Sequence, residues 1–326
     1  MNRESLAFRS RCIREIREFF EEAGYLEVDT PILAKKVIPE PTIELLETTV
    51  HTTEDSSGYP AFLLPSPELY MKRLLAAGSG SIFQFSRCFR DFEPASKLHN
   101  HEFLMLEWYT VDADYRDSLN TTEQLFARLC RLPGVPKPHI PSLSPPFAKM
   151  TIDEAFRKYA GIDLERCNEI DTLLAAIKTP VVPPGSVEEW TELFHFILVS
   201  QIEPALEKEK PVVLLDYPEQ VPCLAKAKPG YRRERWELYV RGIELANCFS
   251  ETVSPAEVQG YFKEETARLE NAGRYGQADG SFPGLYDGSH PECSGVAMGV
   301  DRLIMTLAGC ASLAEIMPFP SSLGDE

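Results

Sequence analysis

Positive charge is scarce in this sequence. Its 326 residues hold 33 Lys and Arg against 50 Asp and Glu, a net charge of −17 with a pI near 4.9. Binding to a phosphate backbone depends on Lys and Arg, so this balance argues against a free-standing nucleic-acid binder, while leaving room for a small basic pocket that takes a nucleotide. Long apolar runs are missing too. The N-terminus reads MNRESLAFRSRC, with no apolar core of a secretory signal, and the stretch from Leu193 to Val199 is broken by His195 and too short to span a bilayer. The eight cysteines are scattered; the nearest pair is Cys293 and Cys310, so there is no C-x-x-C metal knuckle or redox pair. Repeats, heptads and low-complexity blocks are absent as well. The expectation is a cytoplasmic chain with unpaired thiols and no membrane segment.

What is present is globular. With 44% hydrophobic and 25% charged residues, a chain of this length buries a full core without covalent staples. Leu6, Ile13, Ile16, Phe19 and Phe20 recur at helical spacing over 5–23, and Gly24 supplies the stop. The β-prone Tyr25–Val28 runs into Thr30-Pro31, and residues 35–60 read as irregular. Ser66-Pro67-Glu68 has the form of a helix start, with Ser as N-cap and Pro in the first helical position, for a helix running to Gly78. Segments 81–92 and 102–111 read as antiparallel strands around a polar loop. Helices are expected near 114–131, 151–160, 168–178, 187–208 and 254–275, with proline-rich breaks at 133–146 and 179–185. Strands return at 212–217, 235–240 and 243–249. Strands at both ends with helices between them describe an α+β fold, a largely antiparallel sheet flanked by helices.

Three segments carry polar chemistry. In the first, strand alternation puts Phe103, Met105, Glu107 and Tyr109 on one face and Leu104, Leu106 and Trp108 on the other. The second face is core; the first is either a pocket floor or a solvent face with one exposed aromatic. Arg90 on the same hairpin favours the pocket, because a guanidinium forks onto a phosphate and stabilises charge developing there. The second segment, Gly242–Glu251, holds two carboxylates around Asn247, an oxygen set suited to Mg²⁺. Glu244 and Glu251 differ by seven, so they share a face only if the strand ends or bulges between them. The third, Ser294–Leu303, reads as small residues opening a helix, with Gly299 and Arg302 on one side of it.

In order and spacing these segments resemble the signature motifs of class II aminoacyl-tRNA synthetases. The helix over 5–23 with Gly24–Pro31 is similar to motif 1, whose proline lies at the family's dimer interface; Phe89-Arg90 through Glu107 resembles motif 2; Gly295 through Arg302 resembles motif 3. Ser66-Pro67-Glu68 ahead of Met71–Leu75, Leu106–Tyr109 and Gly242–Glu251 narrow the resemblance to the lysyl branch. Motif 1 begins almost at residue 1, which leaves no room for that branch's N-terminal anticodon-binding domain. Ala297, where the synthetases carry Gly, and Ile243-Glu244-Leu245-Ala246-Asn247 are similar to the lysyl-synthetase paralogues that attach (R)-β-lysine to elongation factor P. One methyl in the pocket floor is worth about 1–3 kcal/mol of discrimination.

That resemblance implies a single class II catalytic domain over 1–326, with a helical insertion at about 112–210. It implies ATP and Mg²⁺, β-lysine or lysine as small substrate, elongation factor P as acceptor, no tRNA, no membrane and a homodimer. ATP and the amino acid form an aminoacyl-adenylate and pyrophosphate, and a lysine ε-amine of the acceptor attacks the adenylate. By matching positions, Arg90 holds the α-phosphate and shares catalysis with Arg302, while Phe103 and Arg302 sandwich adenine. Asp91, Phe92, Glu93, His99, Asn100, Glu244, Leu245, Asn247 and Gly299 complete the ATP site. Ser66, Pro67, Glu68, Glu107, Tyr109, Glu251 and Ala297 take the amino acid, and Glu244 and Glu251 carry Mg²⁺. Two other readings remain: a truncated synthetase-like enzyme with another acceptor, and a non-catalytic paralogue that binds an amino acid or nucleotide. Keeping Arg90, Glu244, Glu251 and Arg302 together favours catalysis.

The sequence also departs from the family. Motif 2 there reads Phe-Arg-Asn-Glu; here Phe89-Arg90-Asp91-Phe92-Glu93 makes the loop to Asn100 one residue longer, and Glu93 is expected to replace the ATP-contacting Glu. Lys97 is the cation available where the family has Arg. Cys248 stands where a Gly would suit the required bulge, and Thr252 stands where the family has Leu.

Overall fold

The computed structural model describes residues 3–54, 56–93, 96–177, 189–206, 210–274 and 276–320. Helix α1 (Arg3–Glu22) ends at Gly24, whose φ of +84° is a left-handed stop that a side chain would strain. Strands β1 (Leu26–Glu27), β2 (Leu33–Ala34), β3 (Leu46–Val50) and β4 (Tyr59–Leu63) follow, then α2 (Glu68–Ala76), β5 (Ile82–Phe89), β6 (Glu102–Val111) and α3 (Tyr115–Leu129). The next stretch holds β7 (Ala148–Thr151) and the short helices α4 (Ile152–Ala155), α5 (Ile170–Ala176), α6 (Trp190–Ile197) and α7 (Glu203–Leu206). The last third contributes β8 (Val212–Pro218), β9 (Ala227–Lys228), β10 (Arg232–Val240), β11 (Ile243–Ser250), α8 (Pro255–Asn271), β12 (Cys293–Gly299) and α9 (Val300–Ala308).

The main sheet runs β1-β5-β6-β12-β11-β10-β8-β7, with β9 paired to β10. Only its outermost pairs, β1 with β5 and β7 with β8, are parallel. The sheet is therefore largely antiparallel, and its centre joins early strands (β5, β6) to the last (β12). Trp108, Leu106, Phe83, Trp236 and Val296 turn to one side and meet Ile16 and Phe20 of α1, Phe126 of α3 and Ile304 of α9 in the largest core cluster. Phe20 stacks on Phe83 at 5.1 Å and lies 5.1 Å from Trp108. A second cluster gathers Phe156, Phe194 and Ile197 from the helical stretch over Tyr217 and Tyr239. The opposite face of the central strands carries the site.

Three local expectations are corrected. Residues 35–60 are not uniformly irregular: β3 and β4 pair in a three-stranded sheet ordered β2-β4-β3. The middle of β3 is exposed, so no buried alternation marks it in the sequence. Residues 293–299 are a strand, not the opening of a helix, which begins at Val300. Their small side chains serve a strand packed on both faces between β6 and β11. The segment expected as one helix over 187–208 is α6, a wide turn at Leu198–Ile202, and α7, with 187, 188, 207 and 208 outside the described residues. The proline-rich 179–185 also lies outside them. The eight cysteines are all free thiols, and among the described residues no helix is long and apolar enough to cross a membrane.

Candidate active site

The floor of the site is a set of cross-strand rows. Ala297 of β12 pairs with Glu107 of β6 on one side and Asn247 of β11 on the other, and Asn247 pairs in turn with Glu237 of β10. One row over, Gly295 lies between Tyr109 and Phe249, and Phe249 pairs with Arg235. Directly paired residues share a face, so these side chains all stand on the side away from the Trp108 core. The face with Phe103, Glu107 and Tyr109 is thus a pocket floor.

The required bulge exists, but not at Cys248. Leu238 pairs with Ala246 and Tyr239 with Glu244, which leaves Leu245 as the extra residue. One inserted residue flips the strand's parity, so Glu244 shares the face of Asn247, Phe249 and the position of Glu251. Cys248 pairs regularly with Trp236 and Val296, avoids positive φ, and is buried against Ser294 at 3.3 Å. It faces the core, so this position needs no glycine.

At one end of the floor is a cleft lined by Arg90, Glu93, His99, Phe103, Asn247, Gly299 and Arg302, among others. Arg302 is held from both walls: its Nε donates to the Leu98 carbonyl and its Nη1 to the Glu244 carbonyl, each at 3.1 Å. The Arg90 guanidinium lies 5.3 Å from the centroid of Phe103, and its Nε is buried without a partner. Asn100 donates to the Glu102 carbonyl at 2.5 Å. Burial and the Arg302 and Arg90 cations hold His99 below its ordinary pKa, against the pull of Glu93. Burial first, and then the neighbouring Glu237 and Glu203, push Glu244 up to about 7, with Arg302 and Arg90 opposing. Leu245 and Ala297 also line this cleft.

The long motif 2 loop resolves its own register. Phe92 takes a φ of +52° and is 83% exposed, so the extra residue is extruded to solvent. The Asp91 carboxylate turns back onto the Phe92 amide at 2.9 Å, and Glu93 rather than Asp91 lines the cleft. Of the three residues expected at the ATP site, Glu93 lines this cleft, while Asp91 and Phe92 do not.

At the other end of the floor is a knot of buried carboxylates. Glu107 is 2% exposed and accepts from Ser66 Oγ and Tyr109 OH, each at 2.7 Å. Burial and Glu68 push its carboxyl up to about 8. The formal boundary residue of α2 is Pro67, which has no side-chain cap, but the capping bond expected of Ser66 is present. The Ser66 hydroxyl accepts from the Glu68 amide at 3.0 Å and also donates to Glu107. Glu251, pushed up to about 7 chiefly by burial, accepts from Lys72 Nζ at 2.7 Å, and the same ammonium meets Glu68 at 2.6 Å. Although burial opposes it, Glu251 and Glu68 hold Lys72 well above its ordinary pKa. Gly295 keeps the knot open: a Cβ there would lie 2.4 Å from Tyr109 Cε1 and 2.9 Å from Glu251 Oε1.

Residues 1–323 match the family described as tRNA synthetases class II (D, K and N). The chain belongs to that family. It is also similar over nearly its whole length to proteins named elongation factor P–(R)-β-lysine ligase. The one from Pasteurella multocida is 33% identical over 97% of this chain and 94% of its own; that from Avibacterium paragallinarum is 34% identical over 97% and 95%; that from Haemophilus influenzae is 32% identical over 97% and 94%.

Two contributors to this class II site escaped the sequence reading. Lys72 belongs to the Met71–Leu75 segment that carries the resemblance but has no role assigned there, although its place four residues after Glu68 is the spacing of a helical ion pair. Asp301 carries no expectation in the sequence, yet it is 2% exposed; it accepts from Arg9 Nη1 of α1 at 2.5 Å and from the Leu104 amide of β6 at 2.7 Å. Arg9 and Asp301 are 292 positions apart, and no local pattern announces such a pair.

Proposed function

We propose that this chain is an ATP-dependent ligase that activates (R)-β-lysine, or lysine, as an aminoacyl-adenylate and transfers it to a lysine side chain of elongation factor P. The observation that carries this reading is an Arg90/Arg302 cleft at one end of a sheet face and, at the other, a cluster of three carboxylates, the buried Glu107 and Glu251 and the half-buried Glu68. A diamino acid brings two ammonium groups, and such a pocket suits them. The similarity to proteins named for β-lysine ligation supports the same choice of amino acid and acceptor. Arg90, with its unpartnered Nε, is the group to receive an α-phosphate and the charge that develops there.

Mg²⁺ fits the nucleotide end. Glu244, pushed up by burial and by Glu237, and the buried, unpartnered Oδ1 of Asn247 offer the hard oxygen donors it prefers. When bound it screens phosphate charge. Glu251, expected in both roles, is better suited to the amine pocket because Lys72 already holds it there. The exposed Leu26, Ile32 and Leu33 around Pro31 support a homodimer through motif 1.

The test is ATP–pyrophosphate exchange over a panel of amino acids, followed by mass analysis of elongation factor P. Exchange should be faster with β-lysine than with lysine, the acceptor should gain one β-lysyl group, and tRNA should acquire no amino acid. Absence of exchange with either amino acid would end this reading. A chelator should abolish exchange and added Mg²⁺ should restore it.

A further inference from the structure

Lys72 is a buried ammonium in the amino-acid pocket, and its charge matches the substrate rather than the site. Its side chain is completely buried, and its ammonium touches the two carboxylates best placed to hold a substrate amine, Glu68 at 2.6 Å and Glu251 at 2.7 Å. Glu107, by contrast, is held by two neutral hydroxyls, Ser66 and Tyr109, and has no cation of its own. Once an ammonium docks on Glu107 and draws off its proton, the groups of this knot are three carboxylates and one ammonium.

We propose that Lys72 is a positioning residue that sets the charge of the amino-acid pocket: it cancels one of three carboxylates and fixes the orientation of Glu68 and Glu251, leaving a site matched to two substrate ammonium groups. The proposal rests on the reading that the substrate is a diamino acid. A buried carboxylate without a cation is costly, and so is an excess buried cation, so the pocket selects by the number of ammonium groups a ligand brings. With Lys72 that number is two. Without it the pocket carries one negative charge too many; with Lys72 kept and Glu68 neutralised, it carries one too few.

This charge matching makes a prediction that a purely structural ion pair does not. Lys72→Met lowers kcat/KM for the diamino acid by about tenfold or more, mainly through KM, while the KM for ATP stays within about twofold. In a Glu68→Gln background the same substitution acts in the opposite direction: Lys72→Met/Glu68→Gln restores the balance and exchanges faster with the diamino acid than Glu68→Gln alone. A structural staple would make loss of Lys72 harmful in both backgrounds, so a Glu68→Gln protein that loses activity on removal of Lys72 overturns the proposal. So does an equal rise in both KM values. Should Lys72→Met alone fail to fold, the comparison between Glu68→Gln and the double variant still decides. If the unmodified protein exchanges with no diamino acid, the substrate reading falls and this proposal with it; if it exchanges but the sign does not invert, the Lys72 proposal alone is refuted.

Discussion

Replacing Glu107 by Gln should stabilise the ligand-free protein near neutral pH and disable it at the same time. Burial and the neighbouring Glu68 raise this carboxyl from 4.5 to about 8. A carboxyl raised in the folded state contributes stability that is fully present below the unfolded pKa and is lost as pH rises towards the folded one. Near pH 7 the unfolded chain gains the free energy of ionising Glu107 and the folded chain largely does not, a penalty of about 3 kcal/mol at 1.36 kcal/mol per unit. Gln occupies the same volume and keeps contact with Ser66 and Tyr109, whose hydroxyls reorient to suit its amide. For a chain of this length the gain corresponds to about 4–5 °C in Tm. The assay is thermal unfolding of both proteins between about pH 4.5 and 8: the Gln variant should match the native protein at the acid end and exceed it increasingly up to pH 8. Adding a diamino acid should raise the native Tm and leave the variant's nearly unmoved. A Tm difference that is the same at all pH values would refute the reasoning.

Other substitutions probe the rest of the site. Gly295→Ala puts a methyl 2.4 Å from the Tyr109 ring; overpacking should cost about 1–3 kcal/mol in a denaturant titration and raise the amino-acid KM more than the ATP KM. Arg90→Ala should lower exchange by about two to three powers of ten in kcat, the usual loss when a donor to developing charge is removed. An unchanged rate would remove Arg90 from the mechanism. Asp301→Ala leaves Arg9 and the Leu104 amide buried without their acceptor, and should cost about 3–5 kcal/mol of stability measured by chemical unfolding.

The elements that the sequence announced are those whose signal is local. The alternation over Glu102–Val111 marked β6 at its full length, with Trp108 and Leu106 in the core and Glu107 and Tyr109 opposite. Helix α1 and its glycine stop were equally plain. β3 was not, because a short strand with an exposed middle has no buried stripe to betray it. Neither was β12, where small residues looked like a helix entry. Gly295 is small because Tyr109 and Glu251 crowd its face, and that crowding comes from residues 186 and 44 positions away in the chain. Ser66 shows the same limit on a smaller scale: its position beside a helix start marks the bond to the Glu68 amide, but not the one its hydroxyl also gives to Glu107 on β6.

These misreadings have a common physical origin at the site. A sequence is locally consistent where only the fold is at stake, and departs from local rules where a site requires it. Phe92 gives up ordinary φ so that Glu93 turns inward after a loop lengthened by one residue. Leu245 interrupts a regular ladder so that Glu244, seven residues from Glu251, comes round to the same face. Lys72 and Glu107 place ionisable groups where burial penalises them, an arrangement that no core would select for stability. Each departure orients a charge towards the face that also bears Ala297 and Gly295. A decayed, non-catalytic paralogue has no reason to retain three such costs in mutual register. Their coincidence on one floor therefore weighs more for an active ligase than the presence of any one motif residue does.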